Sequence, residues 1–244
     1  MDNYKFPLDK LKTKLDDSSK TPIVLILFGS LNPITYLHLR LFELAKDHLK
    51  YTETNWEVVG CYISPVSPGY NKPNLLPPKD RVAMCELAAD CTDYIMVDIW
   101  ETLHKEYVRT LPALEHFSNE LNKNGGIITE EGTRKSIIPV ILAGGDLIES
   151  MTIPGVWGEN DIIDILKDYG AIVIERSGTN LIEVVKNDKI LSRFQDRIIV
   201  VEQTIPNDVS STRVRNCIKK GLSVKYIVPD NVITYINENN LYKN

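Results

Sequence analysis

The sequence predicts an α/β fold built on a mostly parallel, doubly wound sheet of about six strands. Six short runs rich in β-branched residues are apolar almost throughout rather than alternating, which is typical of strands covered on both faces. These runs are 22–28, 56–63, 94–99, 138–143, 171–175 and 197–202. Segments with helical spacing separate them, and this alternation favours parallel strands joined by right-handed crossovers.

Four helical segments support the alternation of strands and helices. They are 37–49, 78–90, 101–121 and 208–221. In the first, Leu37, Leu41 and Leu44 fall on one apolar stripe. Pro112 predicts a kink or break in the third. Capping residues precede the fourth, and Gly221 lies at its exit.

Length and composition fit a chain with one well-packed core. It has 244 residues, of which 43% are hydrophobic and 25% are charged, as in ordinary globular proteins. We expect a polar N-terminal extension over 1–21 and a single domain over 22–244 that includes a C-terminal helical part. The polar, glycine-bearing segment 122–136 is expected to be a mobile insertion.

Charge and cysteine usage argue against several classes of protein. The net charge of -5 does not suit a general nucleic-acid-binding protein, which normally has a basic face. The four cysteines are scattered, so we expect reduced thiols rather than a zinc site or disulfide bonds. We expect neither a secretory signal nor a membrane span. The cytoplasm is favoured, and a nuclear share stays open.

The junction after the first predicted strand has the features of an anion site. Gly29 and Ser30 end the strand, and a glycine there lets backbone N–H groups approach a phosphate. The following helix start adds unpaired amides and a partial positive charge. His38 and Arg40 would supply further donors. Taken alone, the pattern fits an ordinary β–α turn equally well, with His38 as a packing or capping residue.

A second candidate anion site lies near the C-terminus. Ser210, Ser211 and Thr212 at a helix start offer hydroxyls and amides, while Arg213 and Arg215 offer guanidinium groups. In isolation, ordinary helix capping with two solvated arginines is the commoner explanation.

Three further segments carry candidate ligand-binding residues. Gly144 permits close approach of a ligand, and Asp146 suits ribose hydroxyls or a simple helix cap. Trp100 suits an aromatic base, although tryptophan is more often a core residue. Lys72 lies in the proline-rich loop 64–81, where a lysine is usually only solvated. Because the carboxyl ends of parallel strands share one crevice, the joint occurrence of these signals predicts a single binding site.

Six motifs follow one another along roughly residues 22–242: GSLNPITYLHLRLFELAKDHL, ISPVSPGYNKPNLLPPKDRVAMCELA, VDIWETLHKEY, ILAGGDLIESMTIPGVW, YGAIVIERSG and NDVSSTRVRNCIKKGLSVKYIVPDNVITYI. Their content and order resemble the eukaryotic-type nicotinamide/nicotinate mononucleotide adenylyltransferases. The wider nucleotidyltransferase superfamily has HxGH and ISSTxxR where this chain has TYLH at 35–38 and VSSTRVR at 209–215. Threonine in place of the first histidine is usual in the eukaryotic branch. Leu31, where that branch commonly has phenylalanine, affects local packing more than chemistry.

The resemblance implies a Rossmann-like fold and a defined reaction. Nicotinamide or nicotinate mononucleotide would be joined to the AMP moiety of ATP, giving NAD or deamido-NAD and pyrophosphate. The resemblance also implies Mg²⁺, bridging the ATP phosphates and held mostly by substrate and water. No residue of the chain is expected to be a metal ligand.

Roles for individual residues follow from the matching motif positions. The resemblance implies that His38, Lys72 and Arg215 are catalytic. The implied ATP-binding residues are Gly29, Ser30, His38, Gly144, Asp146, Asn207, Ser211, Thr212, Arg213, Val214 and Arg215. The implied mononucleotide-binding residues are Ser30, Lys72, Trp100, Leu103, Val156, Trp157 and Glu175.

Other interpretations of the sequence stay open at this stage. A same-fold adenylyltransferase or cytidylyltransferase would use another acceptor, such as pantetheine phosphate or choline phosphate, but Trp100 and the IPGVW loop suit a flat aromatic one. A non-catalytic nucleotide sensor or chaperone-like protein is disfavoured by the intact His38, Lys72 and Arg215. A dehydrogenase would carry GxGxxG where this chain has GSLNPI. Preference for the amide or the acid mononucleotide stays open, as does a homo-oligomeric state.

Overall fold

The computed structural model describes residues 4–52, 54–175 and 180–243. The strands are β1 (Thr21–Gly29), β2 (Trp56–Pro65), β3 (Ile95–Val97), β4 (Ile127–Ile128), β5 (Arg134–Lys135), β6 (Ile138–Gly144), β7 (Ala171–Glu175) and β8 (Ile198–Glu202). Six of them form a parallel sheet in the order β3-β2-β1-β6-β7-β8. The predicted α/β, mostly parallel, doubly wound fold is confirmed.

Helices cover both faces of the sheet. They are α1 (Tyr36–Tyr51), α2 (Pro78–Ala89), α3 (Thr110–Asn122), α4 (Asp146–Met151), α5 (Glu159–Asp168), α6 (Leu181–Asn187), α7 (Ser211–Lys219) and α8 (Asp230–Glu238). Two 3₁₀ helices, Trp100–Leu103 and Leu191–Arg197, complete the helical elements of the described residues. None of the helices in these ranges is long and apolar enough to cross a membrane.

One helix prediction is wrong. The segment 101–121 is not a single helix broken at Pro112, because a 3₁₀ helix ends at Leu103 and α3 begins only at Thr110. Pro112 lies in the first turn of α3. A proline is tolerated there because the N–H groups of the first turn have no partner within the helix.

The continuous apolar character of β1 follows from the two cores on either side of the sheet. Ile23 and Leu25 point into one core, which contains α1, while Val24 and Ile26 point into the other, which contains α3 and α5. Successive side chains of a strand face opposite sides. A strand covered on both sides therefore needs apolar residues at every position.

Two peripheral segments pack against this sheet. The segment before β1 buries Phe6 and Leu15 despite its polar composition, although its first three residues lie outside the described ranges. Within 122–136, β4 and β5 form an antiparallel pair. The Asn122 side chain ties this hairpin to the body of the protein through the backbone of Ile137. The mobility of 122–136 stays a prediction.

The strand order reverses between β1 and β6, the central pair of the sheet. β2 and β3 extend the sheet on the β1 side, and β7 and β8 extend it on the β6 side. In such a sheet, a crevice opens at the carboxyl ends of the two strands that flank the reversal. The ends of β1 and β6 are Gly29 and Gly144, which places the predicted glycine motifs at this crevice.

Candidate active site

A cavity of about 900 Å³ lies at the carboxyl ends of β1, β6 and β7. Its walls bring together many of the residues that the sequence assigned to ligands, namely Gly29, Ser30, His38, Lys72, Gly144, Asp146, Val156, Trp157, Ser211 and Thr212. A Cβ atom at Gly144 would meet no other atom within 4 Å. The backbone of β6 is therefore open to the cavity at this glycine.

His38 serves both as a helix cap and as a cavity residue. Its Nδ1 accepts a hydrogen bond from the backbone N–H of Thr35 at 3.0 Å and lies 2.8 Å from the Thr35 hydroxyl. Because Nδ1 is an acceptor, the neutral ring carries its proton on Nε2. The cap therefore fixes both the orientation of the imidazole in the cavity wall and the atom that can donate a hydrogen bond.

Lys72 reaches the turn after β1 from the loop between β2 and α2. Its Nζ donates to the Ser30 hydroxyl at 3.0 Å. Partial burial, together with the nearby charge of Arg215, lowers the pKa of Lys72. The repulsion between Lys72 and Arg215 favours the binding of an anion near them, because an anion would offset it.

The N-terminus of α7 docks on the turn between β1 and α1. The Ser211 hydroxyl donates to the carbonyl oxygen of Pro33 at 2.8 Å. Arg215 donates to the carbonyl oxygen of Asn32 at 2.8 Å and to the Thr212 hydroxyl at 3.2 Å. The first N–H groups of a helix attract anions, so this docking brings an anion-binding end to the same cavity as His38.

Another part of the cavity wall contains an indole ring. Trp157 Nε1 donates to the Ser150 hydroxyl at 3.0 Å. Arg109 and Asp161 also line the cavity and form an ion pair at 2.7 Å. Sequence patterns do not reveal this pair, because 52 positions separate the two residues and neither belongs to a recognisable motif.

The sequence is similar to one family model and to proteins from yeast and rice. The family model described as cytidylyltransferase-like matches residues 26–217. The Saccharomyces cerevisiae nicotinamide/nicotinic acid mononucleotide adenylyltransferase 2 is 46% identical over 246 residues, which cover 100% of this chain and 62% of the yeast protein. The Oryza sativa nicotinamide/nicotinic acid mononucleotide adenylyltransferase is 42% identical over 247 residues, covering 100% of this chain and 96% of the rice protein. The chain belongs to this adenylyltransferase family.

Structural comparison agrees at the level of the fold. The Plasmodium falciparum nicotinic acid mononucleotide adenylyltransferase, solved in complex with APC, aligns with a TM-score of 0.60 at 18% identity. The alignment covers 91% of this chain and 97% of the Plasmodium chain. The chain spans about three fifths of the length of the two Saccharomyces relatives that it matches.

Several residues that the family resemblance assigned to ligands do not line the cavity. They are Trp100, Leu103, Glu175, Asn207, Arg213, Val214 and Arg215. Val214 is buried in the core with 3% of its surface exposed, so only its backbone is available to a ligand. Glu175 accepts a hydrogen bond from the backbone of Leu181, and Arg213 donates to the carbonyl of Asp208.

The other residues of that group have identifiable surroundings. Asn207 accepts a hydrogen bond from the backbone N–H of Val209 at 3.0 Å. Leu103 is 38% exposed at the end of its 3₁₀ helix. Arg215 lies at the cavity rim, in contact with Thr212. The ligand roles of these residues stay predictions.

Trp100 belongs to an aromatic and polar cluster that includes His116, Asp98 and Tyr4. Its ring stacks on the His116 imidazole, with centroids 4.2 Å apart and planes 5° apart. His116 in turn contacts Asp98 and the hydroxyl of Tyr4, which itself donates to Asp98 at 2.7 Å. The N-terminal segment thus supports the position of Trp100.

The described residues show which groups of the cavity could hold a metal ion. Within the described ranges, no three His, Cys, Asp or Glu side chains are placed to hold a metal ion together. Mg²⁺ commonly binds substrate phosphates and water with few protein ligands. The hydroxyls and cations of this cavity suit the phosphates rather than the metal itself.

Proposed function

We propose that this chain is a nicotinamide/nicotinate mononucleotide adenylyltransferase. The 5′-phosphate of the mononucleotide attacks the α-phosphorus of ATP in line with the leaving pyrophosphate, and the product is NAD or deamido-NAD. The observation that carries the proposal is the convergence of His38, Lys72 and the α7 N-terminus on one cavity. Membership of the family supports it.

The reaction needs no general base from the protein. The second pKa of a phosphate monoester is about 6, so the attacking oxygen is already ionised near neutral pH. The new bond joins that oxygen to the α-phosphorus, and the electron pair of the broken bond leaves with pyrophosphate. Alignment and stabilisation of the charge on the leaving group must therefore supply the catalysis.

The cationic end of the cavity is suited to this task. Nε2 of His38 and the first N–H groups of α7 are donors for the triphosphate, and Lys72 and Ser30 are donors for the acceptor phosphate. A cation ~4 Å from a phosphate contributes roughly 4 kcal/mol at an effective dielectric of ~20. Local cations can therefore outweigh the diffuse net charge of -5.

Mg²⁺ is proposed as a companion of ATP. It would neutralise charge on the triphosphate and favour departure of pyrophosphate. The residues of this chain hold and orient the phosphates around it, and none is assigned as its ligand. Location in the cytoplasm and assembly into a homo-oligomer stay predictions from the sequence.

A direct assay tests the proposal. The purified protein is incubated with ATP, Mg²⁺ and one of four acceptors, namely nicotinamide mononucleotide, nicotinate mononucleotide, pantetheine phosphate or choline phosphate. We expect pyrophosphate and a dinucleotide only with the pyridine mononucleotides, and no reaction when EDTA removes the metal. Turnover with another acceptor only, or no turnover at all, would refute the proposal.

A further inference from the structure

Arg81 is a fully buried cation beside the candidate active site. It lies in the first turns of α2, and its exposed surface is 0%. Each of its three donor nitrogens bonds a backbone carbonyl: Nε to Leu76 at 2.9 Å, Nη1 to Ser30 at 3.3 Å and Nη2 to Val66 at 2.7 Å. No motif in the sequence points to a role for this residue.

Burying a charge without an ionised partner is costly. Among the residues that the structure describes, no carboxylate is within ion-pair distance of Arg81. Burial lowers the pKa of Arg81, whereas the nearby Cys85, Glu101 and Tyr242 raise it. Glu101 is hydrogen-bonded to the Ser64 hydroxyl instead.

Glu101 is a weak counterion for Arg81 at neutral pH. Burial raises the pKa of Glu101 to about 8, with a further increase from Asp98, whereas the Ser64 hydrogen bond and the charge of Arg81 lower it. The carboxyl group is therefore mostly protonated at pH 7. The guanidinium of Arg81 is therefore stabilised chiefly by the three carbonyl oxygens that it bonds.

The three carbonyls held by Arg81 belong to three segments that build the phosphate end of the cavity. Ser30 follows β1, Val66 follows β2, and Leu76 ends the loop that carries Lys72. Lys72 itself donates to the hydroxyl of Ser30. The planar guanidinium group of Arg81 thus fixes the positions of Lys72 and Ser30 relative to each other. A lysine ammonium group cannot reproduce this arrangement of three hydrogen bonds.

We propose that Arg81 is a positioning residue for the phosphate site, which it holds together through the carbonyls of Ser30, Val66 and Leu76. Its buried charge adds to the positive potential that the substrate phosphates meet. The inference rests on the proposed function for its kinetic effect, but its effect on phosphate binding can be measured without turnover.

The variant Arg81→Lys tests the proposal because it keeps a positive charge and removes the fork. We expect kcat/KM for both substrates to fall by about 10²-fold, as for a misplaced binding group. Asn122→Ala is the matched control, since Asn122 also bonds backbone groups of a second segment but lies outside the cavity. It should lower thermal stability without changing kcat/KM.

A second measurement separates this inference from the proposed function. Calorimetric titration with inorganic pyrophosphate should give about a tenfold weaker Kd for Arg81→Lys than for the wild type. Wild-type protein that binds pyrophosphate but lacks turnover would refute the proposed function, and the Kd comparison would still decide the inference. A folded Arg81→Lys variant with wild-type Kd would overturn the inference.

A further variant provides a test if Arg81→Lys does not fold. Glu101→Gln cannot ionise, whereas ionisation of Glu101 above pH 8 would offset the charge of Arg81. Three other titratable groups lie near Arg81 and Glu101. Burial raises the pKa values of two of them, Cys85 and Tyr242. The third, Asp98, is present in both the wild type and Glu101→Gln and therefore affects the two proteins alike. Pyrophosphate affinity should therefore fall more between pH 7 and pH 9 in the wild type than in Glu101→Gln. Equal losses would overturn the inference.

Discussion

Arg215 donates a hydrogen bond to the carbonyl oxygen of Asn32 at 2.8 Å, across 183 positions of the sequence. The partners belong to the two motifs on which the family resemblance depends most strongly. Ser211 adds a second contact to the same turn through the carbonyl of Pro33. The two motifs therefore form one structural unit, in which the α7 N-terminus and His38 can act on the same triphosphate.

The first prediction concerns Arg215 of α7. Arg215→Lys should lower kcat by about 10²-fold, because a lysine cannot bond Asn32 and Thr212 and also present a donor to a phosphate. Arg193→Lys is the matched control, since Arg193 is an exposed arginine that lies over the Phe194 ring and does not line the cavity. Steady-state kinetics measure both. Equal losses in the two variants would contradict the assignment of Arg215.

The second prediction concerns His38. Removing the imidazole in His38→Ala should lower kcat by on the order of 10²–10³, as for the loss of one transition-state donor. Loss of the contact to Thr35 should also destabilise the helix by about 1 kcal/mol. His48→Ala, on the same helix but outside the cavity, should leave kcat unchanged. Near-normal turnover of a folded His38→Ala variant would exclude His38 from the mechanism.

The sequence was sufficient to predict the sheet and the part of the cavity that is lined by Gly29, His38 and the start of α7. Apolar runs such as β1 and glycines such as Gly29 are local signals, and the carboxyl ends of parallel strands converge by geometry alone. Arg81 could not be predicted, because its role depends on three carbonyls that sequence patterns do not reveal. The pair formed by Arg109 and Asp161 was missed for the same reason: two distant surface-type residues meet only after folding.

The prediction of one helix over 101–121 was wrong because tertiary contacts, rather than helical spacing, determine the structure of its first residues. Glu101 is buried against Ser64, and Trp100 packs on His116. These contacts hold the chain in a short 3₁₀ helix before α3 begins. Intrinsic helix propensity is weak compared with such packing.

The third prediction concerns the pH dependence of stability. The pKa of Glu101 is about 8 in the folded protein, against 4.5 for an unperturbed glutamate. The folded state therefore retains a proton that the unfolded state loses, and stability falls as the pH rises from about 4.5 to about 8. The loss should be on the order of a few kcal/mol. Denaturant titrations at pH 5 and pH 8 should show a smaller difference for Glu101→Gln than for the wild type.

The control for this experiment is Glu238→Gln, which changes an exposed glutamate on α8. It should keep the wild-type pH dependence. If Glu101→Gln and the wild type lost the same free energy of unfolding between pH 5 and pH 8, Glu101 would not be the group that binds the extra proton.

The fourth prediction concerns the two tryptophans assigned to the pyridine ring. Trp157→Ala should raise the KM for the mononucleotide by about tenfold, the effect of about 1.4 kcal/mol of lost stacking and apolar contact. Trp100→Ala should also raise this KM, since the family resemblance assigns Trp100 to the same ring. Stacking acts equally in the ground and transition states, so kcat should change little in both variants. Trp56→Phe at the start of β2 is the control.

The position of the two rings in the structure distinguishes their contributions. Trp157 lines the cavity and is anchored to Ser150, whereas Trp100 lies outside it and is stacked on His116. Steady-state kinetics in which each substrate is varied in turn should therefore give the larger change in the KM for the mononucleotide for Trp157→Ala. An increase confined to the KM for ATP would place the pyridine pocket elsewhere, because neither ring would then contact the acceptor.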